Sequence, residues 1–238
     1  MEKTIIVMPV ANEEATMNDI IEQIMELPYD ELYLYPIIDD YSQDRTETII
    51  RDAEKKYHGR VKCVYYRESK GLISCYLHGF KIALQDGADR IIEMDGGGSH
   101  KPCELPYFIK ALDEGYECVW GSRFMPNGAE KNVVWYRRML SRGGTLLANF
   151  VLKTNLLDMT SGYEAFQADV LRKLHLEKFL STGHMYQTEM KYYCRKCTCK
   201  EVPIHYIGGT SSLRFKSVLE ACKILFCLKK NEKIVKDE

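Results

Sequence analysis

A carboxylate followed by three glycines is the first feature of this sequence that could do chemistry. In RIIEMDGGGSHKP, residues 90–102, an apolar run ends at Asp95 and three glycines follow. The segment could be a loop whose N–H groups close on a phosphate, a reduced metal site or a flexible turn. A P-loop needs Lys and Ser or Thr after its last glycine, and a dinucleotide fingerprint needs its glycines after the first strand. The sequence has neither pattern.

Other polar groups follow apolar runs in the same way. Glu13 comes after TIIVMPV, Asp39 and Asp40 end LYLYPIIDD, Lys70 lies in ESKGL, and Arg123 lies in GSRF. Paired carboxylates accept hydrogen bonds from ribose hydroxyls or a base N–H, and a guanidinium offers planar donors to phosphate. The alternatives are that the Asp pair caps the next turn and that Arg123 is a solvated side chain.

Strands and helices alternate through the first half of the chain and would position these groups. TIIVMPV, LYLYPII, RVKCVYY and RIIEM have the composition of buried strands, and the segments between them have apolar residues at helical spacing. Such alternation predicts right-handed crossovers and an α/β fold with a mostly parallel sheet. Because ligands bind beyond the carboxyl ends of such strands, we expect the polar groups to converge at one edge.

The second half of the chain is less regular. ECVWGSRF has the pattern of a fifth strand, CKEVPIHYI that of an extended strand, and RKLHLEKFL that of a helix. WYRRMLSRGGTLLANFVL and FKSVLEACKILFCLKK are also predicted to be helices. No linker or repeat divides the chain, so we expect one domain over residues 1–238. Its expected parts are a nucleotide-binding half over 1–123, an acceptor-side half over 124–214, and an amphipathic helix and tail over 215–238.

Composition limits the partners. The 33 Lys and Arg nearly balance the 34 Asp and Glu, which argues against nucleic acid as a partner. The nine Cys lack a disulfide framework and the N-terminus does not resemble a signal peptide, so a cytoplasmic protein is expected. Cys194, Cys197 and Cys199 could bind a soft metal, but no second Cys/His pair completes the set, which favours bystander thiols.

A series of motifs, in order, resembles family 2 of the glycosyltransferases, which have the GT-A (Rossmann-like) fold. The motifs are MPVANEE, IIDDYSQDRT, KGLISCYLHGFKIA, IIEMDGGGSHKPCELP, WGSRF, LDMTSGYEAF, YQTEM and EVPIHY, over residues 4 to about 207. Within that family, the motifs resemble those of the dolichol- and polyprenyl-phosphate mannosyltransferases. The resemblance implies an inverting transfer of a hexose from a nucleotide-diphosphate sugar to a polyprenyl phosphate or a glycan. The alternative is a non-catalytic nucleotide-sugar-binding protein with a degenerate metal site.

The resemblance also implies a donor site. Pro9, Ala11 and Glu13 match positions that contact the nucleoside, although the aromatic residue usual at the place of Ala11 is absent. Asp95 matches the first position of the family's Asp-x-Asp motif, which holds Mg²⁺ or Mn²⁺ against the diphosphate. The second position of that motif is Gly97 in this chain. Gly96 and Gly97 would let the backbone approach the donor closely.

Phosphate and acceptor contacts complete the implied site. Arg123 would bind a donor phosphate, as would Lys70 after the third strand, and Arg142 could contact the acceptor. Glu189 in YQTEM would be a catalytic base or would orient the acceptor. The family's basic closing loop is replaced by IGGTSSLRFKS, where Arg214 or Lys216 could stand in.

Two further expectations concern histidines and the membrane. His100 and His184 have no evident partner in the sequence, so packing or capping groups are expected. The last helix, whose apolar residues are combined with the basic segment LKKNEKIVK at its end, could make a peripheral contact with the inner face of the membrane or pack on its own core.

Overall fold

The fold is built on a seven-stranded sheet. The computed structural model describes residues 2–69, 71–176, 179–181, 183, 185–208 and 221–230. The strands of the sheet are β1 (Thr4–Val10), β2 (Leu32–Asp39), β3 (Val64–Tyr66), β4 (Arg90–Glu93), β5 (Cys118–Ser122), β7 (Glu164–Gln167) and β8 (Cys199–Pro203). Their order across the sheet is β3-β2-β1-β4-β7-β5-β8. A second, two-stranded sheet pairs β6 (Ala129–Lys131) with β9 (His205–Ile207).

Helices cover both faces of the large sheet. They are α1 (Met17–Met25), α2 (Thr46–Lys56), α3 (Leu72–Gln85), α4 (Leu105–Asp113), α5 (Trp135–Leu152), α6 (Ala168–Lys173) and α7 (Tyr186–Tyr193), with a 3₁₀ turn at Pro102–Glu104 and a helical segment over 221–230. Residues of α1, α2 and α4 pack on one face of the sheet, and residues of α3, α6 and α7 pack on the other. Every residue of β1 is buried, as its unbroken apolar run predicts for a central strand.

The predicted α/β fold with a mostly parallel sheet is confirmed. β1 pairs in parallel with β2 and β4, β2 with β3, and β5 with β8. β7 is the exception, because it lies antiparallel between β4 and β5. β4 and β5 therefore run in the same direction, and the carboxyl ends of β1 to β5 lie at one edge of the sheet.

Two expectations about the second half are corrected. The helix expected over RKLHLEKFL, residues 172–180, lies earlier in the chain, because α6 ends at Lys173 and Leu174 has an extended backbone. The single strand expected over CKEVPIHYI is divided between two sheets: β8 ends at Pro203 and β9 begins at His205.

The segment 221–230 packs on α5. Ile224, Leu225 and Leu228 are buried in a cluster with Ala148, Val151 and Leu152 of α5. Part of the apolar surface of the last helix is therefore used by the protein's own core. None of the helices in the described part of the chain is long and apolar enough to span a bilayer.

The cysteine cluster gains a fourth member in the fold. Cys118 at the start of β5 is the register neighbour of Cys199 at the start of β8, and the Cys199 thiol contacts the backbone oxygens of Cys194 and Cys197. All four thiols are free. Among the described residues, however, no three His, Cys, Asp or Glu side chains are arranged to hold a metal ion. The expectation of bystander thiols stays a prediction.

Candidate functional site

Asp95 lies just beyond the carboxyl end of β4 and is held from two sides. The buried Tyr76 hydroxyl of α3 donates to Asp95 Oδ1 at 2.8 Å, and the Asp95 backbone N–H donates to His100 Nδ1 at 3.1 Å. Asp95 Oδ2 lies 3.8 Å from His100 Nε2, and the side chain is 33% exposed. The carboxylate is thus fixed on its inner side and open to a ligand on its outer side.

His100 and Tyr76 are suited to this holding role. His100 is buried and stacks on Tyr163 with the ring centroids 4.7 Å apart. Burial lowers the pKa of His100, and in the neutral ring Nδ1 accepts the Asp95 N–H while Nε2 carries the proton. Burial also raises the pKa of the Tyr76 hydroxyl, which therefore stays a donor. His100 thus packs on Tyr163, as expected, but it also has a partner, Asp95, that was not evident in the sequence. His184 lies outside the described residues.

The glycines that follow Asp95 are folded tightly against the end of β1. A Cβ atom on Gly96 would lie 2.5 Å from Val10 Cγ1 and 3.0 Å from the Pro9 carbonyl oxygen. Gly98 has a φ of +76°, which favours glycine. Of the interpretations left open by the sequence, a loosely flexible turn fits poorly, because close packing dictates at least Gly96.

Glu13 brings a second carboxylate to this loop. A Cβ atom on Gly97 would lie 3.0 Å from Glu13 Oε1, so this carboxylate lies against the position where the family motif has its second Asp. The Glu13 backbone N–H donates to Thr46 Oγ1 at 2.8 Å, which ties the β1–α1 loop to α2. Burial raises the pKa of Glu13, and the charges of Asp44 and Asp95 raise it further.

Asp39 and Asp40 point to different surroundings at the end of β2. Asp39 is buried, and its Oδ2 accepts from the Ser69 hydroxyl at 2.8 Å. Asp39 Oδ1 accepts weakly from the Tyr41 backbone N–H at 3.4 Å. Asp40 is exposed and accepts from the Tyr65 hydroxyl at 3.2 Å. Both retain acceptor capacity for a ligand, while Asp39 also orders its own turn.

Arg123 follows β5 at the same edge but is engaged by protein carboxylates. Its Nε and Nη2 donate to the two oxygens of the fully buried Asp158 at 2.7 and 2.8 Å, and Nη2 also donates to the Thr160 hydroxyl at 2.6 Å. Nη1 lies 3.5 Å from Glu130 Oε1. In this structure the guanidinium therefore joins β5 to the loop before β7 and is not offered to a phosphate.

Glu189 is also committed to the protein backbone. It is fully buried on α7, and its two carboxylate oxygens accept the N–H groups of Leu180 and Ser181, each at 2.8 Å. This arrangement fixes the chain before α7. A base would need an oxygen facing the acceptor, so the geometry favours an orienting role.

A buried charge network under the site was missed by the sequence analysis. Glu93 and Glu164 are register neighbours on β4 and β7, and Lys191 of α7 pairs with Glu164. All three are almost fully buried. Tyr186 donates to Glu93 at 3.2 Å and stacks on Tyr76, the residue that holds Asp95. No signal in the sequence separates these charged residues from surface ones, since their partners are distant along the chain.

The remaining expected contacts are only partly described. Pro9 lies at the end of β1 with its carbonyl oxygen against Gly96, and Ala11 directly follows the strand. Arg142 of α5 lies over the ring of Phe124, the residue that follows Arg123, at 5.1 Å from the ring centroid. Lys70, Arg214 and Lys216 lie outside the described residues.

Comparison with known proteins gives one family and one fold. Residues 5–175 match the family described as "Glycosyl transferase family 2". Polyprenol monophosphomannose synthase of Mycolicibacterium smegmatis is 28% identical over 225 residues, covering 92% of this chain and 84% of the relative. Undecaprenyl-phosphate mannosyltransferase of Micrococcus luteus is 34% identical over 173 residues, covering 72% and 70%.

A solved structure shares the fold at low identity. Glucosyl-3-phosphoglycerate synthase from Mycobacterium tuberculosis, in complex with Mn²⁺, UDP-glucose and phosphoglyceric acid, superposes with a TM-score of 0.69. The two proteins are 16% identical, and the match covers 96% of this chain and 80% of the other. At that identity the likeness concerns the fold alone.

Proposed function

Because the chain belongs to glycosyltransferase family 2, we propose that it transfers a hexose, with inversion, from a nucleotide-diphosphate sugar to a polyprenyl phosphate. The observation that carries the proposal is the presentation of Asp95 at the sheet edge, held by Tyr76 and His100 with one side open. The relatives named as mannosyltransferases of polyprenyl-type phosphates support the lipid acceptor over a glycan.

The donor would lie across the carboxyl ends of β1, β2 and β4. Pro9, Ala11 and the Asp39–Asp40 pair would contact the nucleoside, with the carboxylates accepting from ribose hydroxyls or a base N–H. The close packing of Gly96 on β1 keeps the loop against the sheet edge, so that the diphosphate can approach the backbone of the loop. Lys70, on the chain between β3 and α3, is proposed as a further phosphate contact.

A divalent cation fits the residues at this edge. Asp95 and Glu13 both supply oxygen ligands, which Mg²⁺ and Mn²⁺ prefer. The charge of Asp95 contributes to the raised pKa of Glu13, and a cation bound between the two carboxylates would offset this repulsion. The described residues hold no preformed set of three ligands. We therefore assign Asp95 and Glu13 as the protein ligands, with the remaining positions left to donor phosphates and water. The bound cation would offset the charge of the departing diphosphate.

The acceptor explains why no exposed base is needed. A phosphate monoester is largely ionised near neutral pH, so its oxygen can attack the anomeric carbon as the bond to the nucleoside diphosphate breaks. Glu189 then acts as a positioning residue through the N–H groups that it holds. Arg123 likewise positions the loop that carries Asp158. Arg142 and Arg214 are proposed to contact the acceptor phosphate.

The proposal also places the reaction at a membrane. A polyprenyl phosphate is anchored in a bilayer by its chain, so the enzyme would work at that surface, and we propose a peripheral contact with it. The cytoplasmic, inner face is the side proposed, in line with the expectation of a cytoplasmic protein with reduced thiols.

A product assay tests the function. The purified chain is incubated with GDP-, UDP- and dTDP-hexoses, Mg²⁺ or Mn²⁺ and a polyprenyl phosphate in detergent, and the lipid product is identified by mass spectrometry. One donor should give a cation-dependent glycolipid of inverted configuration. Asp95→Asn should abolish it, whereas Asp52→Asn, on exposed α2, should not. Absence of product with every donor would overturn the proposal.

A further inference from the structure

Helix α5 exposes a stripe of large apolar side chains. Trp135, Met139, Leu146 and Phe150 are 72%, 64%, 71% and 82% exposed. With Arg142 between them, successive members are three or four residues apart, so they lie on one face of the helix. Tyr136, Leu140 and Leu147 are also exposed and widen the patch. Contiguous apolar surface of this kind marks an interaction site.

The opposite face of α5 anchors the helix in the protein. Thr145, Ala148, Val151 and Leu152 are buried, and the last three pack with residues of segment 221–230. The helix is therefore fixed by its own core while the apolar stripe faces outward. Packing within the described residues does not account for the stripe.

The charge of this region indicates what covers it. Residues 131–157 contain five Lys or Arg and no Asp or Glu, in a chain whose net charge is −1. Arg138 is paired with Glu130 at 2.9 Å, which leaves the region basic overall. A helix that combines an exposed apolar stripe with basic residues suits the interface of a bilayer containing anionic lipids.

We infer that α5 docks on an anionic membrane surface, with Trp135, Met139, Leu146 and Phe150 in the lipid interface and basic side chains against the headgroups. A second copy of the chain is a poorer occupant. A two-fold interface would place the arginines of one α5 near those of the other, and like charges across an interface oppose association. An acidic protein partner is the remaining alternative and is separated by experiment.

Docking through α5 would bring the catalytic edge to the bilayer. Arg142 of α5 and Arg123 at the end of β5 lie over the same Phe124 ring, at 5.1 and 4.9 Å. Arg123 also lies over Tyr206, which contacts the His100 ring beside Asp95. A continuous set of contacts thus joins the docking helix to the site. This consequence rests on the proposed function, since a lipid-borne acceptor is what requires it.

Vesicle binding tests the inference without any substrate. The full chain is mixed with vesicles of phosphatidylcholine alone or with phosphatidylglycerol, and binding is measured by flotation. The chain has two tryptophans, and Trp120 is buried, so a shift in emission reports on Trp135. We expect binding to the anionic vesicles, weakened by salt, with a blue shift and quenching by brominated lipid.

Matched variants decide the outcome. Leu146→Ser/Phe150→Ser should weaken binding by more than about tenfold, with unchanged circular dichroism and unchanged sugar-nucleotide binding. Tyr107→Ser, which removes an exposed aromatic residue from α4, should bind like the wild type. The inference is overturned if the wild type ignores anionic vesicles, if the double variant binds equally well, or if light scattering shows an α5-dependent dimer that does not bind lipid. Vesicle binding without donor binding would instead count against the proposed function alone.

Discussion

Replacing Asp158 by Asn should show that Arg123 is a structural cation. The change removes the charge that faces the buried guanidinium and leaves Arg123 with one amide oxygen in place of two carboxylate oxygens. Removal of one partner of a buried ion pair costs about 3–5 kcal/mol. Because each kcal/mol moves the midpoint of a domain of this size by about 2–4 °C, the melting temperature should fall by about 6–20 °C.

The assay compares the wild type, the single variant and a double variant by urea unfolding. Arg123→Met/Asp158→Asn, which removes both charges, should be more stable than Asp158→Asn alone. As a control, Glu47→Gln removes an exposed ion pair with Arg51 and should change stability little. The reasoning is refuted if Asp158→Asn costs less than about 1 kcal/mol or if the double variant is no more stable than the single one.

The same variants give a pH test and a test of donor binding. Burial opposes ionisation of Asp158, but the hydrogen bonds and charge of Arg123 outweigh it and lower its pKa from the ordinary 3.8. The stabilisation is therefore present above pH 3.8 and is lost as pH falls through the folded-state pKa, and Asp158→Asn should lack this acid-dependent loss. If Arg123 only positions the loop, the folded double variant should bind donor within about threefold of wild type; a loss of about tenfold or more would return the phosphate role to Arg123.

Three further predictions concern the buried charges and the glycine loop. Lys191→Met should destabilise the protein by about 3 kcal/mol in urea unfolding, and Lys191→Met/Glu164→Gln should recover most of that loss. A double variant no more stable than Lys191→Met would contradict the network. Burial raises the pKa of Glu164 to about 7, although Lys191 partly offsets this effect. The contribution of the protonated Glu164 side chain to folding stability is therefore fully present below pH 4.5 and is lost as pH rises through 7. Urea midpoints of wild type should thus fall relative to Glu164→Gln between those pH values. Gly96→Ala should cost about 1–3 kcal/mol by collision with Val10, whereas Gly143→Ala, with open space around its Cβ, should be neutral or stabilising.

The first half of the fold was accessible from sequence because its elements carry strong local signals. The fully buried β1 reads as an unbroken apolar run, and α1 has its buried residues at helical spacing. β7 was missed because EAFQ is four residues long and its antiparallel position depends on pairing with β4 and β5. Local patterns do not encode such distant pairing.

The site shows the same division. The position of Asp95 at the sheet edge could be predicted, because it directly follows a strongly apolar strand and strands alternate with helices before it. The hydrogen bond that holds the Asp95 carboxylate could not be predicted, since its donor, Tyr76, lies 19 residues away on α3. The engagement of Arg123 depends on Asp158, which lies 35 residues away on an irregular loop. Sequence motifs thus predicted which groups lie at one edge of the sheet, while packing decides which of their side chains are already engaged by the protein.

The central claim is a cation-assisted sugar-nucleotide site at Asp95, and thermal shift with Mn²⁺ tests it most directly. A donor at about a hundred times its dissociation constant should stabilise the native state by about 2.7 kcal/mol, which raises the melting temperature by about 5–10 °C. The shift should require Mn²⁺ or Mg²⁺, persist in Asp52→Asn and disappear in Asp95→Asn. An equal, cation-dependent shift in Asp95→Asn, or no shift with any sugar nucleotide, would contradict the account.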